Sequence, residues 1–125
     1  MQYVQLQRIR RLASEEFRCA FSGFDALVLP TTPEPACLIP DDDPASTPAR
    51  MRNTMPFNAL GLPAITVPAG LDSRNMPIGV QFVAQPFSES RLLQIAYAYE
   101  QALGLEDFHP PALDGLAGSA NENPA

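Results

Sequence analysis

Two runs decide the fold class: Ala64-Ile65-Thr66-Val67-Pro68 and, after a turn segment from Gly70 to Pro77, Ile78-Gly79-Val80-Gln81-Phe82-Val83-Ala84. The first reads as a strand, and its residues 64–67 look buried on two sides. The second alternates, so Ile78, Val80, Phe82 and Ala84 share one face. The two are expected to pair as an antiparallel hairpin. Upstream, Asp25-Ala26-Leu27-Val28-Leu29-Pro30 is another run without alternation. Residues 26–29 therefore also read as a strand buried on two sides. Downstream, Ser88 is the expected cap of a helix reaching Leu103, with Glu89 in its first turn. Leu92, Ile95, Ala96, Tyr99 and Leu103 line one face of that helix, and Gly104 fits the position just past its end.

Residues 3–22 read as a second helix. Its apolar stripe is Ile9, Leu12, Ala13, Phe17, Ala20 and Phe21, and Gly23 is its stop. Pro30, Pro33, Pro35, Pro40, Pro44 and Pro48 make a long irregular loop, because proline donates no N–H and disfavours helix in the residue before it. Asp41-Asp42-Asp43 lies inside that loop. It has no calcium-loop spacing and reads as a solvated tip. Residues 49–60 read as one helical stretch, kinked or restarted at Pro56 and closed by Gly61. The expected fold class is α/β, with about three strands and two to three helices in residues 1–104 and a flexible tail over 105–125. So few elements cannot cover two strands on both faces. The chain therefore reads as a piece of a larger sheet, with unpaired strand edges.

The chain has 125 residues, 46% of them apolar, with 14 prolines and a net charge of −6. That balance argues against a nucleic-acid partner, which needs clustered cations. Arg8, Arg10 and Arg11 read as a solvated helix face. No run approaches the roughly 18 apolar residues of a membrane span. Cys19 and Cys37 are expected to be reduced packing residues in a cytoplasmic protein.

All eight cationic residues are arginine, so the chain contains no lysine. Schiff-base chemistry, a Ser–Lys dyad and a P-loop are excluded within it. The sole histidine, His109, sits before Pro110-Pro111 and reads as a surface residue. One histidine and two separated cysteines do not form a metal cluster. Gly61, Gly70 and Gly79 do not make a dinucleotide fingerprint. No catalytic residue, metal site or cofactor is expected in this chain. Asn53, Asn58, Gln81 and Gln85 stand in or beside apolar elements. A buried Gln81 must find partners, either neighbouring backbone or a ligand.

The order of these segments resembles the C-terminal part of the amidase signature enzymes. The resemblance rests on Phe24 to Pro33, on Asn53-Thr54-Met55-Pro56-Phe57-Asn58-Ala59-Leu60-Gly61-Leu62-Pro63 running on to Gly70, on Met76 to Ala84, and on Glu89 to Glu100. It covers roughly residues 3 to 104. It implies a large mixed β-sheet flanked by helices and hydrolysis or transfer at an amide C–N bond. The family's machinery is a Ser–cis-Ser–Lys triad in which lysine acts through the middle serine. This chain has neither that lysine nor a Gly-Gly-Ser-Ser block, so no catalytic residue carries over.

What the resemblance implies for this chain is scaffold and part of a substrate pocket, with Thr31, Met51, Met55 and Asn58 as the pocket candidates. In the glutamine-using members an acidic residue three positions before the Thr-x-Pro step holds the substrate's amino group. Counting back from Thr54-Met55-Pro56 gives Met51, which cannot pair with an ammonium. A general amidase acting on a less polar small amide is therefore expected. The chain alone would be inactive. Its implied partners are a missing N-terminal amidase portion or a second copy joined through strand edges. The alternatives are a free-standing binding module and one half of a split amidase.

Overall fold

The computed structural model describes residues 2–41 and 43–104. The expected tail lies outside the described residues. Helix α1 spans Gln2–Ala20, strand β1 Leu27–Pro30, helix α2 Thr47–Arg50 and helix α3 Met55–Leu60. Strand β2 is Ala64–Leu71, β3 Pro77–Val83 and helix α4 Glu89–Leu103. The sheet order is β1-β3-β2, and both pairings are antiparallel. The architecture is α/β, as expected, and the β2–β3 hairpin forms.

The burial of the strands differs from expectation. The central strand is β3, and it alone is covered on both faces. Its Phe82 and Ala84 join Val67, Leu92 and Ala96 in a cluster under α4. On the opposite face, Val83 packs with Phe21 and Phe57, flanked by Phe17, Leu29 and Leu62. Of the four residues expected to share one face, Ile78 is exposed. The apolar run of β1 is an edge strand, and Val28 remains 53% exposed. Helix α4 packs over β2 and β3, while Val28, paired with Phe82 and on the same face, stays exposed. In β2 only Val67 is buried, and the neighbours alternate outward. A bulge between Pro68 and Gly70, where Gly70 has φ +120°, carries the strand past Pro68.

Helix α1 is also less covered than its stripe suggests. Phe17 meets Phe57 edge-on at 5.9 Å, and Phe21 is buried. Ile9 and Leu12 stay exposed. The helical stretch expected over 49–60, kinked or restarted at Pro56, is two short helices, the second restarting at Met55. Pro56 falls in the first turn of α3, where a missing N–H costs nothing. Gly61 closes α3 in the left-handed conformation, φ +71°. Ser88 precedes α4 but does not cap it through its side chain; its hydroxyl donates instead to Gln85 O. Asp43 accepts from Ala45 N at 2.9 Å and so caps a short 3-10 turn over Pro44–Ser46. Both cysteines are exposed thiols rather than packing residues.

Candidate functional site

The pocket candidates come from two segments, the residue after β1 and the stretch from the α2–α3 connection into α3. A carboxamide ties them together. Asn53 Nδ2 donates to Pro30 O at 2.9 Å, and Gln81 Nε2 donates to Asn53 O at 2.9 Å. Gln81 is 4% exposed, so this bond satisfies a polar group inside the core. Gln81 therefore braces backbone, one of the two roles the sequence left open. Gln85 does the same, donating to Phe21 O at 3.0 Å.

Thr31 continues β1's pairing, donating its N–H to Gly79 O at 3.0 Å. Its hydroxyl donates to Thr66 Oγ1 at 3.1 Å, on the face of the sheet that carries Gln81 and Val83. The two threonines meet across Gly79. A Cβ there would lie 2.8 Å from Thr66 Cγ2 and 3.0 Å from Thr31 Oγ1. The absent side chain is what allows the two hydroxyls to meet.

Met51 O accepts from Thr54 N at 3.0 Å and Met55 N at 2.9 Å, so a tight turn carries the chain from α2 into α3. The side chains of Met51 and Met55 are 42% and 46% exposed. Asn58 is exposed on α3. Thr31 thus lies close in the fold to the 51–58 segment. The concavities around the proline-rich loop are lined instead by Pro30, Thr32, Pro33, Glu34, Pro35 and their neighbours. None of those three takes in Thr31, Met51, Met55 or Asn58. Arg50 lines two of them and Arg52 one, and sequence reasoning passed over both. The signal for these two residues was available, since they flank Met51 directly.

At the far end of the hairpin, Asp72 Oδ1 accepts from Arg74 N at 2.8 Å and Met76 N at 2.9 Å. Its other oxygen pairs with Arg74 Nη2 at 2.9 Å. The Met76 N–H above all, and then Arg74, hold the Asp72 carboxyl below its ordinary 3.8. Among the described residues no group of three His, Cys, Asp or Glu could hold a metal ion. Nor is any described helix long and apolar enough to cross a membrane.

A three-stranded antiparallel sheet with apolar clusters and helices on both of its faces defines an α/β architecture. The amidase family profile matches residues 1–93, and the chain belongs to the amidase family. It is 40% identical over 109 residues to a glutamyl-tRNA(Gln) amidotransferase subunit from Halothermothrix orenii, covering 86% of this chain and 23% of that protein. It also resembles the crystal structure of the corresponding glutamyl-tRNA(Gln) amidotransferase subunit from Thermotoga maritima, with a TM-score of 0.70 at 37% identity over 75% of this chain and 21% of the other. A 6-aminohexanoate cyclic dimer hydrolase matches with a TM-score of 0.71 at 33% identity, over 86% of this chain and 25% of that one. The chain thus spans about a quarter or less of the length of these relatives.

Proposed function

We propose that this chain supplies scaffold and part of the substrate pocket of an enzyme that hydrolyses amide C–N bonds, and that it is inactive alone. The observation that carries this reading is an amidase match over residues 1–93 in a sequence without lysine. The Ser–cis-Ser–Lys machinery then resides on polypeptide outside this sequence. Residues 1–104 form the amidase-like segment and 105–125 a tail to it. The pocket-facing part is Thr31 with Met51, Met55 and Asn58. The Asn53–Pro30 hydrogen bond supports that assignment, because it fastens the 51–58 segment beside the end of β1.

The substrate is read as a less polar amide than glutamine, since Met51 offers a thioether where an ammonium needs a carboxylate. A second reading, a glutamine-using enzyme, is favoured by the names of the relatives at about 40% identity.

The first experiment is the native size of the polypeptide bearing this sequence, by intact mass. A product several times larger than 13.6 kDa is expected, with the activity belonging to that parent. The second is an amide-hydrolysis assay of the chain alone and mixed with a lysine- and serine-bearing amidase portion. Butyramide and glutamine serve as substrates. Hydrolysis is expected only in the mixture or the parent, with butyramide preferred. Turnover by the chain alone overturns the reading. A 13.6 kDa product that is inactive in every mixture returns it to a non-catalytic binding module. A preference for glutamine selects the second reading.

A further inference from the structure

We propose that Phe87 is the aromatic anchor by which this chain docks against the lysine- and serine-bearing portion of its amidase, with the ring seated in an apolar socket of that portion. This rests on the amidase reading above and names where the two parts meet. Phe87 stands between β3 and α4 and is 97% exposed, the most of any large apolar residue among those described. Its backbone is left-handed, with φ +64°. Ser88 N donates to Gln85 O at 3.2 Å and closes a turn in which Pro86 is second and Phe87 third. A turn with proline second and a left-handed third residue asks for glycine or asparagine in the third place. For a bulky side chain that conformation is strained. The chain thus accepts strain in order to hold an aromatic ring in water, and no contact of its own offsets either cost. Strain kept at one exposed position points to a role there.

The mount of the ring is fixed on both sides. Before it, Ala84 is fully buried and donates its N–H to Pro63 O at 3.0 Å, and Gln85 Nε2 donates to Phe21 O at 3.0 Å. After it, Ser88 O accepts the Leu92 N–H at 3.0 Å. An anchor held in this way loses little freedom on docking. Its surroundings combine apolar surface with a polar rim, the anatomy of an interface. Phe21, Leu60, Leu62 and Pro86 line an open concavity of about 250 Å³ at the turn, and the Arg11–Glu15 pair borders it. Phe24, also exposed, lies beyond the same end of the sheet, because Leu27 is paired with Val83. Arg91 Nε reaches Asp25 Oδ1 at 3.4 Å and links the start of α4 to the segment that follows Phe24. The net charge of −6 sets a second copy of the chain against the first. The chain spans a quarter or less of its relatives' length, so the larger part of such an enzyme lies outside this sequence and can supply the socket.

The chain contains no tryptophan, so Phe87→Trp places a single reporter at the anchor. The test uses the full chain alone, the same chain mixed with the separately expressed lysine- and serine-bearing portion of the parent, and the intact parent. In the full chain alone the indole is expected to emit as in water and to be quenched freely by acrylamide. In the mixture and in the parent its emission, taken as the difference from the unsubstituted chain, should shift to the blue and resist quenching. Phe87→Gly is the second variant, and its two expected effects have opposite signs. Glycine relieves the left-handed strain and removes no contact of the chain alone, so the urea midpoint of the full chain should rise at unchanged slope. Binding to the portion should weaken by more than about tenfold, the loss of a central anchor. An indole that stays exposed in a mixture or parent that hydrolyses butyramide, an unchanged affinity of Phe87→Gly, or a lowered midpoint of Phe87→Gly in the chain alone would each overturn the anchor and leave the amidase reading standing. Shielding in the chain alone that grows with its concentration gives the ring to a second copy and overturns the proposal as well. Shielding in a mixture that hydrolyses neither butyramide nor glutamine keeps the anchor and removes the enzyme.

Discussion

Gly79→Ala tests the packing on which the end of β1 depends. The added methyl carbon would stand 2.8 Å from Thr66 Cγ2 and 3.0 Å from Thr31 Oγ1. Neither neighbour is the tip of a long flexible side chain, and both threonines are stiff at χ1. Relief therefore requires a rotamer change that breaks the 3.1 Å Thr31–Thr66 hydrogen bond, or a displacement of β1 or β2 from the central strand. Overpacking of this kind costs about 1–3 kcal/mol. Replacing a strand glycine by alanine returns about 0.5–1 kcal/mol. The net expectation is a loss of about 1–2 kcal/mol, read from the urea midpoint of the full chain at unchanged slope. Thr66→Ser removes the Cγ2 that makes the closest contact and keeps the hydroxyl. In that background the cost of Gly79→Ala should fall by about half, a coupling of the size that touching residues show. Equal costs of Gly79→Ala in the two backgrounds would refute the steric argument, whatever their size.

Two further perturbations read other parts of the structure. The Asp72 carboxyl is held below its ordinary 3.8 in the fold, first by the Met76 N–H and then by Arg74, so its contribution to stability is present above the unfolded value and is lost as pH falls through the lower folded one. The Asp72 carboxyl resonance, followed by NMR, should therefore titrate with a midpoint below 3.8, and Asp72→Asn should flatten the acid limb of the stability profile; a midpoint at or above that value removes the argument. Gln81→Leu removes the part-buried 2.9 Å hydrogen bond to Asn53 O, which costs about 1 kcal/mol and should raise amide exchange across 51–58.

The hairpin, the helix 89–103 and the stop at Gly61 were legible because each depends on local chemistry: alternation, a first-turn acid, a left-handed glycine. Which strand lies in the middle was not legible. Apolar content pointed to 26–29 and 64–67, whereas the strand buried on both faces is β3, whose pattern includes a glutamine. Gln81 can occupy the core only because Asn53 O accepts its proton, and that partner is 28 residues away in sequence. A partner so distant leaves no periodic signal. The site was legible to a similar degree. The resemblance brought Thr31 and the 51–58 segment forward, and their proximity depends on Asn53, which sequence reasoning noted only as a carboxamide.

Apolar patterning outruns burial at several places in α1 and around β1. Ile9 and Leu12 of α1, Phe24 before β1, and Val28 within it are all more than half exposed, while the α4 face over β2 and β3 is closed. An amphipathic helix of 19 residues with no buried member gains little from this fold by itself. Its pattern reports the surroundings in which it is stable. A strand edge with Val28 uncovered beside it is likewise a pairing surface rather than a finished boundary. In a chain matching about a quarter or less of its relatives' length, these surfaces favour a continued sheet on the β1 side over a free-standing module. The free-standing alternative needs the same residues to be tolerated in water, and nothing charged has replaced them. The uncovered side thus supports the proposal that this chain works as one part of a larger amidase.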